Sequence, residues 1–257
     1  MNLPSLRVDG KVALVTGTGS GLGRAIAIGL AQAGADVALT ELPGKEAAAQ
    51  ETAREVERAG RRALVVPLDV LRLPMIQETV DRVLAVFDRI DILVNNAGIN
   101  VPKLAVDVTE EDWDRVLDVD LKGVFFTAQA VAKKAMIPRG GGKIVNIASQ
   151  MGVVGFTYRA AYCSAKAGVV NLTRVLAWEW AKSQIHVNAI APTFVETPLT
   201  RPMFEDKAFY NDILSRIPLG RLGKPEDIVG AAVFLSSPAA DMVTGHTLLI
   251  DGGWTAV

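Results

Sequence analysis

Cysteine, histidine and net charge are all scarce in this chain. Its 257 residues include one cysteine, Cys163, and two histidines, His186 and His246, far from it in sequence. No internal disulfide can form and no metal-ligand spacing is present, which excludes a disulfide scaffold and zinc chemistry; no metal is expected. Lys and Arg number 27 against 28 Asp and Glu, a net charge of −1, so there is no electrostatic footprint for nucleic acid or an anionic membrane. Long apolar runs are missing too. The opening Met1 to Lys11 has none of signal-peptide length, and no stretch reaches the ~18 uninterrupted apolar residues of a membrane span. A cytoplasmic location is expected. No repeat, charge block or low-complexity tract divides the chain, so residues 1–257 are read as one domain.

Apolar residues make up 50% of the sequence and charged residues 21%, enough to build a large core. Strand-length runs recur at Val12 to Val15, Val37 to Leu39, Ala63 to Pro67, Ile90 to Val94, Ile144 to Ala148, Val187 to Ala191 and Thr247 to Ile250. Most carry Val, Ile and Leu on both alternating positions, as parallel strands covered by helices on both faces require. Between them, helical spacing marks Leu22 to Ala33, Glu46 to Ala59, Met75 to Phe87, Glu110 to Met136, Ala160 to Lys182 and Pro225 to Leu235. Strand alternating with helix predicts an α/β, doubly wound parallel sheet. Pro192 to Pro218 breaks the alternation, holds four prolines and is read as a long loop over the substrate.

After the first run comes a glycine-rich turn, Thr16 to Gly23, that opens a helix. Gly17, Ser20, Gly21, Leu22 and Gly23 are the candidate pyrophosphate residues, because glycines allow close backbone approach and a helix N-terminus supplies amides and positive dipole. No Gly-Lys-Ser/Thr follows, which disfavours a nucleoside triphosphate loop. Glu41 ends the second run about 20 residues on, where a carboxylate can accept both ribose hydroxyls and repel a 2′-phosphate. With no basic residue in the loop or just after Glu41, NAD is expected over NADP. Further on, Tyr162 and Lys166 are four residues apart and share a helix face. A phenol needs its pKa lowered to act as a base near neutrality, and the Lys166 ammonium is expected to lower it. Ser149, thirteen residues before Tyr162, ends a strand where its hydroxyl could hold the substrate oxygen.

These motifs together resemble the short-chain dehydrogenase/reductase family from about Gly10 to Trp254: TGTGSGLG at Thr16 to Gly23, Asp69 with Val70, NNAG at Asn95 to Gly98, Ser149, YCSAK at Tyr162 to Lys166, and DGG at Asp251 to Gly253. The resemblance implies a Rossmann-type sheet of seven parallel strands, a nicotinamide cofactor, Tyr162 as general acid/base and Lys166 on the nicotinamide ribose. It also implies adenine contacts from Asp69 and Val70, cofactor support from Asn96, Ala97 and Gly98, contacts from Pro192 and Val195, a carboxamide contact from Thr197, and a homotetramer. SQMG at Ser149 to Gly152 and DGGWT at Asp251 to Thr255 resemble the gluconate 5-dehydrogenase-like branch, which oxidises sugar acids and polyols.

Two positions depart from the family pattern. Asp120 stands where the family has Asn, whose main-chain carbonyl serves a proton relay that reaches the lysine, so Asp120 is a candidate catalytic residue whose charge could pull on Lys166. Thr193 stands where many members have Gly. The substrate pocket is expected to use Ser149, Gln150, Met151, Phe156, Tyr158, Arg159, Thr193 and Phe194, with Arg159 near the Tyr162 helix face as a partner for a carboxylate or, alternatively, a charge at the surface or a subunit contact. Cys163 is read as packing, both histidines as structural or interface groups, and Glu110, Glu111 and Asp112 as the first turn of a helix capped by Thr109. The expected reaction is hydride transfer between nicotinamide and a secondary alcohol or ketone of a polyol, sugar or sugar acid. The alternatives are a 3-oxoacyl thioester reductase and, in a different class, a non-catalytic dinucleotide sensor.

Overall fold

The computed structural model describes residues 4–198 and 200–256. Seven parallel strands form one sheet in the order β3-β2-β1-β4-β5-β6-β7: β1 Val12–Val15, β2 Asp36–Glu41, β3 Ala63–Pro67, β4 Ile92–Asn95, β5 Gly142–Ile147, β6 Ile185–Pro192 and β7 Thr247–Ile250. The helices are α1 Gly21–Gln32, α2 Glu46–Arg58, α3 Leu73–Phe87, α4 Glu110–Leu117, α5 Gly123–Val131, α6 Ile137–Arg139, α7 Ala160–Trp180, α8 Lys207–Ser215 and α9 Pro225–Ser236. None is long and apolar enough to cross a membrane among the described residues.

Alternation within β1 shows how the two layers form. Val12 and Leu14 face a core with Val80 and Val83 of α3, Ala128 and Val131 of α5 and Leu176 of α7. Ala13 and Val15 face the opposite core, with Ile26 and Leu30 of α1, Val56 of α2 and Ile228 and Leu235 of α9. Both faces of the strand are therefore dry, which is why its sequence reads as a continuous apolar run. Strand β1 pairs with β2 on one side and β4 on the other, and the reversal in strand order opens a crevice at their carboxyl ends.

Two expectations change. The stretch Glu110 to Met136 is not one regular α-helix: wide π turns at Asp118–Lys122 and Ala132–Met136 separate α4, α5 and α6. Residues 192–218 are also not simply a loop, because they contain a 3₁₀ turn at Arg201–Glu205 and α8. Asp206 caps α8 by accepting from the Ala208 and Phe209 amides at 2.9 and 3.2 Å, and Ile213 is buried beneath it. Four prolines obscured that helical signal.

Candidate active site

A cleft of about 610 Å³ lies over the carboxyl ends of the strands. Its floor is the glycine turn. Gly17 and Gly21 have φ of +69° and +57°, a region that glycine enters at little cost. The Asn96 side-chain amide donates to the Thr16 and Gly17 carbonyls at 2.8 and 3.0 Å, while the Thr16 hydroxyl accepts from the Asn96 and Ala97 amides, both at 2.9 Å. The NNAG turn after β4 thus clamps the turn after β1. The preceding Asn95 donates to Asn146 at 2.9 Å, and Asn146 donates to Thr173 of α7 at 3.0 Å. This buried chain ties the strands to the helix that carries Tyr162 and Lys166.

The crevice fits a dinucleotide. Ser20 leads into α1 without a side-chain cap bond, and no acidic residue stands in the first turn, so the helix N-terminus is free to meet an anion. Glu41 ends β2 with its carboxylate accepting from the Gly19 amide at 2.9 Å and the Leu42 amide at 2.9 Å. Leu22, Asp69, Val70, Ala97, Gly98, Pro192, Val195 and Thr197 all line the same cleft. Asp69 is partly committed, since its carboxylate accepts from the Leu71 amide at 3.0 Å. The Thr197 hydroxyl lies 3.1 Å from that of Thr200.

Ser149, Tyr162 and Lys166 come together at the inner end of the cleft. Ser149 follows β5, its hydroxyl accepting from the Met151 amide at 3.1 Å. The buried Lys166 ammonium donates to the Ile147 carbonyl at 3.0 Å and lies 3.1 Å from Asp120 Oδ2. Asp120 is fully buried, and its Oδ1 accepts from the Ile99 amide at 2.7 Å.

Lowering of the Tyr162 pKa by Lys166 is where the sequence reading needs correction. Burial raises the phenol above its ordinary value; Lys166 opposes this, but Asp120 reinforces it, and the net direction is upward. Burial works against the Lys166 ammonium, yet the Asp120 carboxylate and, after it, Tyr162 more than offset that, so Lys166 is also raised. Burial pushes the Asp120 carboxyl up against the pull of Lys166. An Asn here would leave the lysine charge unopposed; the Asp does not.

Of the expected substrate residues, Gln150, Met151, Arg159, Thr193 and Phe194 line the cleft. Tyr158 does not: it is 51% exposed with φ +61°, and only its carbonyl is used, accepting from Arg159 at 3.2 Å. Phe156 is set back in an aromatic cluster with Phe194, Phe209 and Trp254, where Cys163 also packs. Arg159 is 6% exposed, reaches the Met203 sulfur at 3.8 Å and meets no carboxylate among the described residues. Burial lowers its pKa, with Tyr162 and Cys163 opposing. Both amide atoms of Gln150, 1% exposed, and the buried Thr193 hydroxyl lack hydrogen-bond partners among the described residues.

Sequence reasoning missed Asn100, Arg115, Val119, Thr200 and Met203, which also line the cleft. Asn100 comes from the loop after β4; the others come from α4, its π turn and the segment before α8, where helical periodicity marks the packed face and not the face that meets the site. Thr109 caps α4 as expected, in a reciprocal box with Asp112. The Lys103 ammonium is hydrogen-bonded to Asp112 and, with Thr109, lowers that carboxyl to about 2. The His186 Nε2 lies 2.9 Å from the Asp241 carbonyl.

Comparison with known proteins agrees with this geometry. A family model described as enoyl-(acyl carrier protein) reductase matches residues 17–255. The 2-dehydro-3-deoxy-D-gluconate 5-dehydrogenase of Escherichia coli is 43% identical over 256 residues, covering all of both chains. The NAD-dependent glycerol dehydrogenase of Listeria innocua is 40% identical, covering 96% of this chain and 95% of that one. Among solved structures, a gluconate 5-dehydrogenase from Burkholderia cenocepacia in complex with NADP and tartrate superposes with a TM-score of 0.94 at 39% identity, covering 99% of each chain. These full-length matches have one meaning: the chain belongs to the short-chain dehydrogenase/reductase family and is an oxidoreductase that uses a nicotinamide dinucleotide.

Proposed function

We propose that this enzyme oxidises a secondary hydroxyl of a sugar acid or polyol to the ketone, and runs the reverse reduction, with NAD preferred to NADP. The observation that carries the substrate class is the buried Arg159 guanidinium, which has no carboxylate partner among the described residues and lines the same cleft as Ser149 and Tyr162. An unpaired buried charge is costly, and a substrate carboxylate would relieve that cost with a charge-assisted bond. Gln150 and Thr193 bring further unpartnered polar atoms to the same wall, suited to hydroxyl groups and ill suited to a long acyl chain. The names of the Escherichia coli and Listeria innocua relatives point to a sugar acid and a polyol.

Nicotinamide, when bound, supplies the hydride acceptor. Ser149 holds the reacting oxygen, the Tyr162 phenolate takes its proton as the carbinol hydride leaves, and Lys166 favours the phenolate by its charge. Glu41 supports NAD: its carboxylate is anchored on the Gly19 amide where a ribose 2′-phosphate would bring a second negative charge. The reading is tested by following NADH formation with aldonates, polyols, simple secondary alcohols and 3-hydroxyacyl thioesters. Turnover confined to the last two groups would overturn the substrate class, and no turnover with any would favour the dinucleotide sensor.

A further inference from the structure

The Asp120 and Lys166 pair has a consequence beyond the reaction itself. The wide π turn at Asp118–Lys122 sends Asp120 inward, while its neighbours Asp118 and Lys122 stay at the surface and pair with each other at 3.1 Å. Inside, one carboxylate oxygen accepts from the Ile99 amide at 2.7 Å and the other lies 3.1 Å from the Lys166 ammonium, with no hydrogen-bond alignment. The second contact is therefore mainly one of charge. The NNAG turn is pressed against the same group: a β-carbon on Gly98 would lie 2.9 Å from Asp120 Oδ2.

We infer that Asp120 is a positioning residue that acts as a fixed counter-charge for Lys166, holding it as an ammonium while cancelling part of its effect on Tyr162, and so shifts the working range of the enzyme to higher pH. The inference rests on the proton-transfer role given to Tyr162 above. The charged and titratable groups around the pair are few. Tyr162 and Lys166 lie on α7, Arg159 precedes it and bears on Tyr162, and Arg115 of α4 lines the cleft. Ile147 and Ile99 contribute only a carbonyl and an amide. Asp120 is the sole carboxylate acting on Tyr162 among the described residues, and nothing else in that set offsets the two cationic neighbours. A counter-charge within contact distance of an ammonium favours the protonated amine and disfavours the nearby phenolate.

Asp120→Asn tests this because it removes the charge and keeps an oxygen for the Ile99 amide. Both limbs of the pH profile of kcat/KM for alcohol oxidation are expected to move to lower pH, by about one unit: the acidic limb because the phenol ionises more easily, and the alkaline limb because the ammonium is no longer held. Activity below the wild-type optimum should rise. The tyrosinate absorbance change on titration, taken as the difference from the Tyr162→Phe protein, should move in the same direction without any need for turnover. Asp120→Ser gives the same readout should the Asn variant not fold. A profile that falls in height with both limbs in place would mean a merely structural role and overturn the inference. Loss of several orders of magnitude at every pH, in a folded protein, would overturn it too, making the carboxylate a proton carrier. If Tyr162→Phe itself turned over normally, the failure would belong to the reading of the mechanism, whereas an inactive Tyr162→Phe beside an unshifted Asp120→Asn isolates the failure to the inference.

Discussion

Gly23 lies so close to Gly17 that a β-carbon built on it would stand 2.0 Å from the Gly17 carbonyl oxygen and 2.5 Å from the Asn96 amide nitrogen. Neither neighbour is free to give way, since Asn96 holds the Thr16 and Gly17 carbonyls. Gly23→Ala must therefore push α1 off the turn. It should cost about 1 to 3 kcal/mol of stability, read as a fall in Tm of about 2 to 4 °C per kcal/mol for a chain of this size. Calorimetric titration should show weaker NAD binding. Unchanged Tm and affinity would mean that the turn is looser than its geometry indicates.

Tyr162→Phe should reduce kcat by about 100-fold to 10,000-fold, the usual value of a positioned proton acceptor, with NADH binding nearly intact because the ring is preserved. Lys166→Ala should damage both turnover and binding. It removes the charge that favours the phenolate, and it leaves the Asp120 carboxylate buried without its ion pair, so a lower Tm is expected as well. Near wild-type turnover by Tyr162→Phe would end the mechanism.

Cofactor choice depends on Glu41. Wild-type protein should bind NAD more tightly than NADP in isothermal titration, and Glu41→Ala should narrow the gap by weakening NAD and admitting NADP. The carboxylate also accepts from the Gly19 and Leu42 amides, so the variant should loosen the turn slightly for both cofactors. Equal or tighter NADP binding by the wild type would sink the preference.

Arg159→Ala should lower kcat/KM for an aldonate about tenfold to a hundredfold, the range for a charge-assisted hydrogen bond, while the matching uncharged polyol loses little. The comparison across the two substrates cancels any general damage to the cleft. A mutant that discriminates between them as the wild type does would remove Arg159 from substrate recognition.

Much of the fold was legible because both-face burial writes itself into sequence. All seven strands overlap the apolar runs that predict them; β2, β5 and β6 begin one or two residues earlier and β4 two residues later. Glycine spacing, Glu41 and the Tyr162 to Lys166 interval were legible for a different reason: each is a local backbone or one-turn relationship that does not depend on the rest of the chain. Residues 192–218 were less so, because prolines around α8 disguised a helix whose stability comes from the Asp206 cap and from burying Ile213.

Sequence alone determined the parallel sheet and put forward Ser149, Tyr162 and Lys166 as residues that line one cleft, because local spacing and hydrophobic pattern suffice for those. Tertiary structure decided the electrostatics. Only folding brings Asp120 within 3.1 Å of Lys166, from a residue 46 positions earlier in the chain, and burial, reinforced by Asp120, turns the Tyr162 pKa upward against the pull of Lys166. The same holds for Arg159, which the sequence offers as a partner for a substrate carboxylate and which in space is a buried cation with no carboxylate beside it among the described residues. Charge energies depend on distance and on the exclusion of water, and neither is set until the layers have closed.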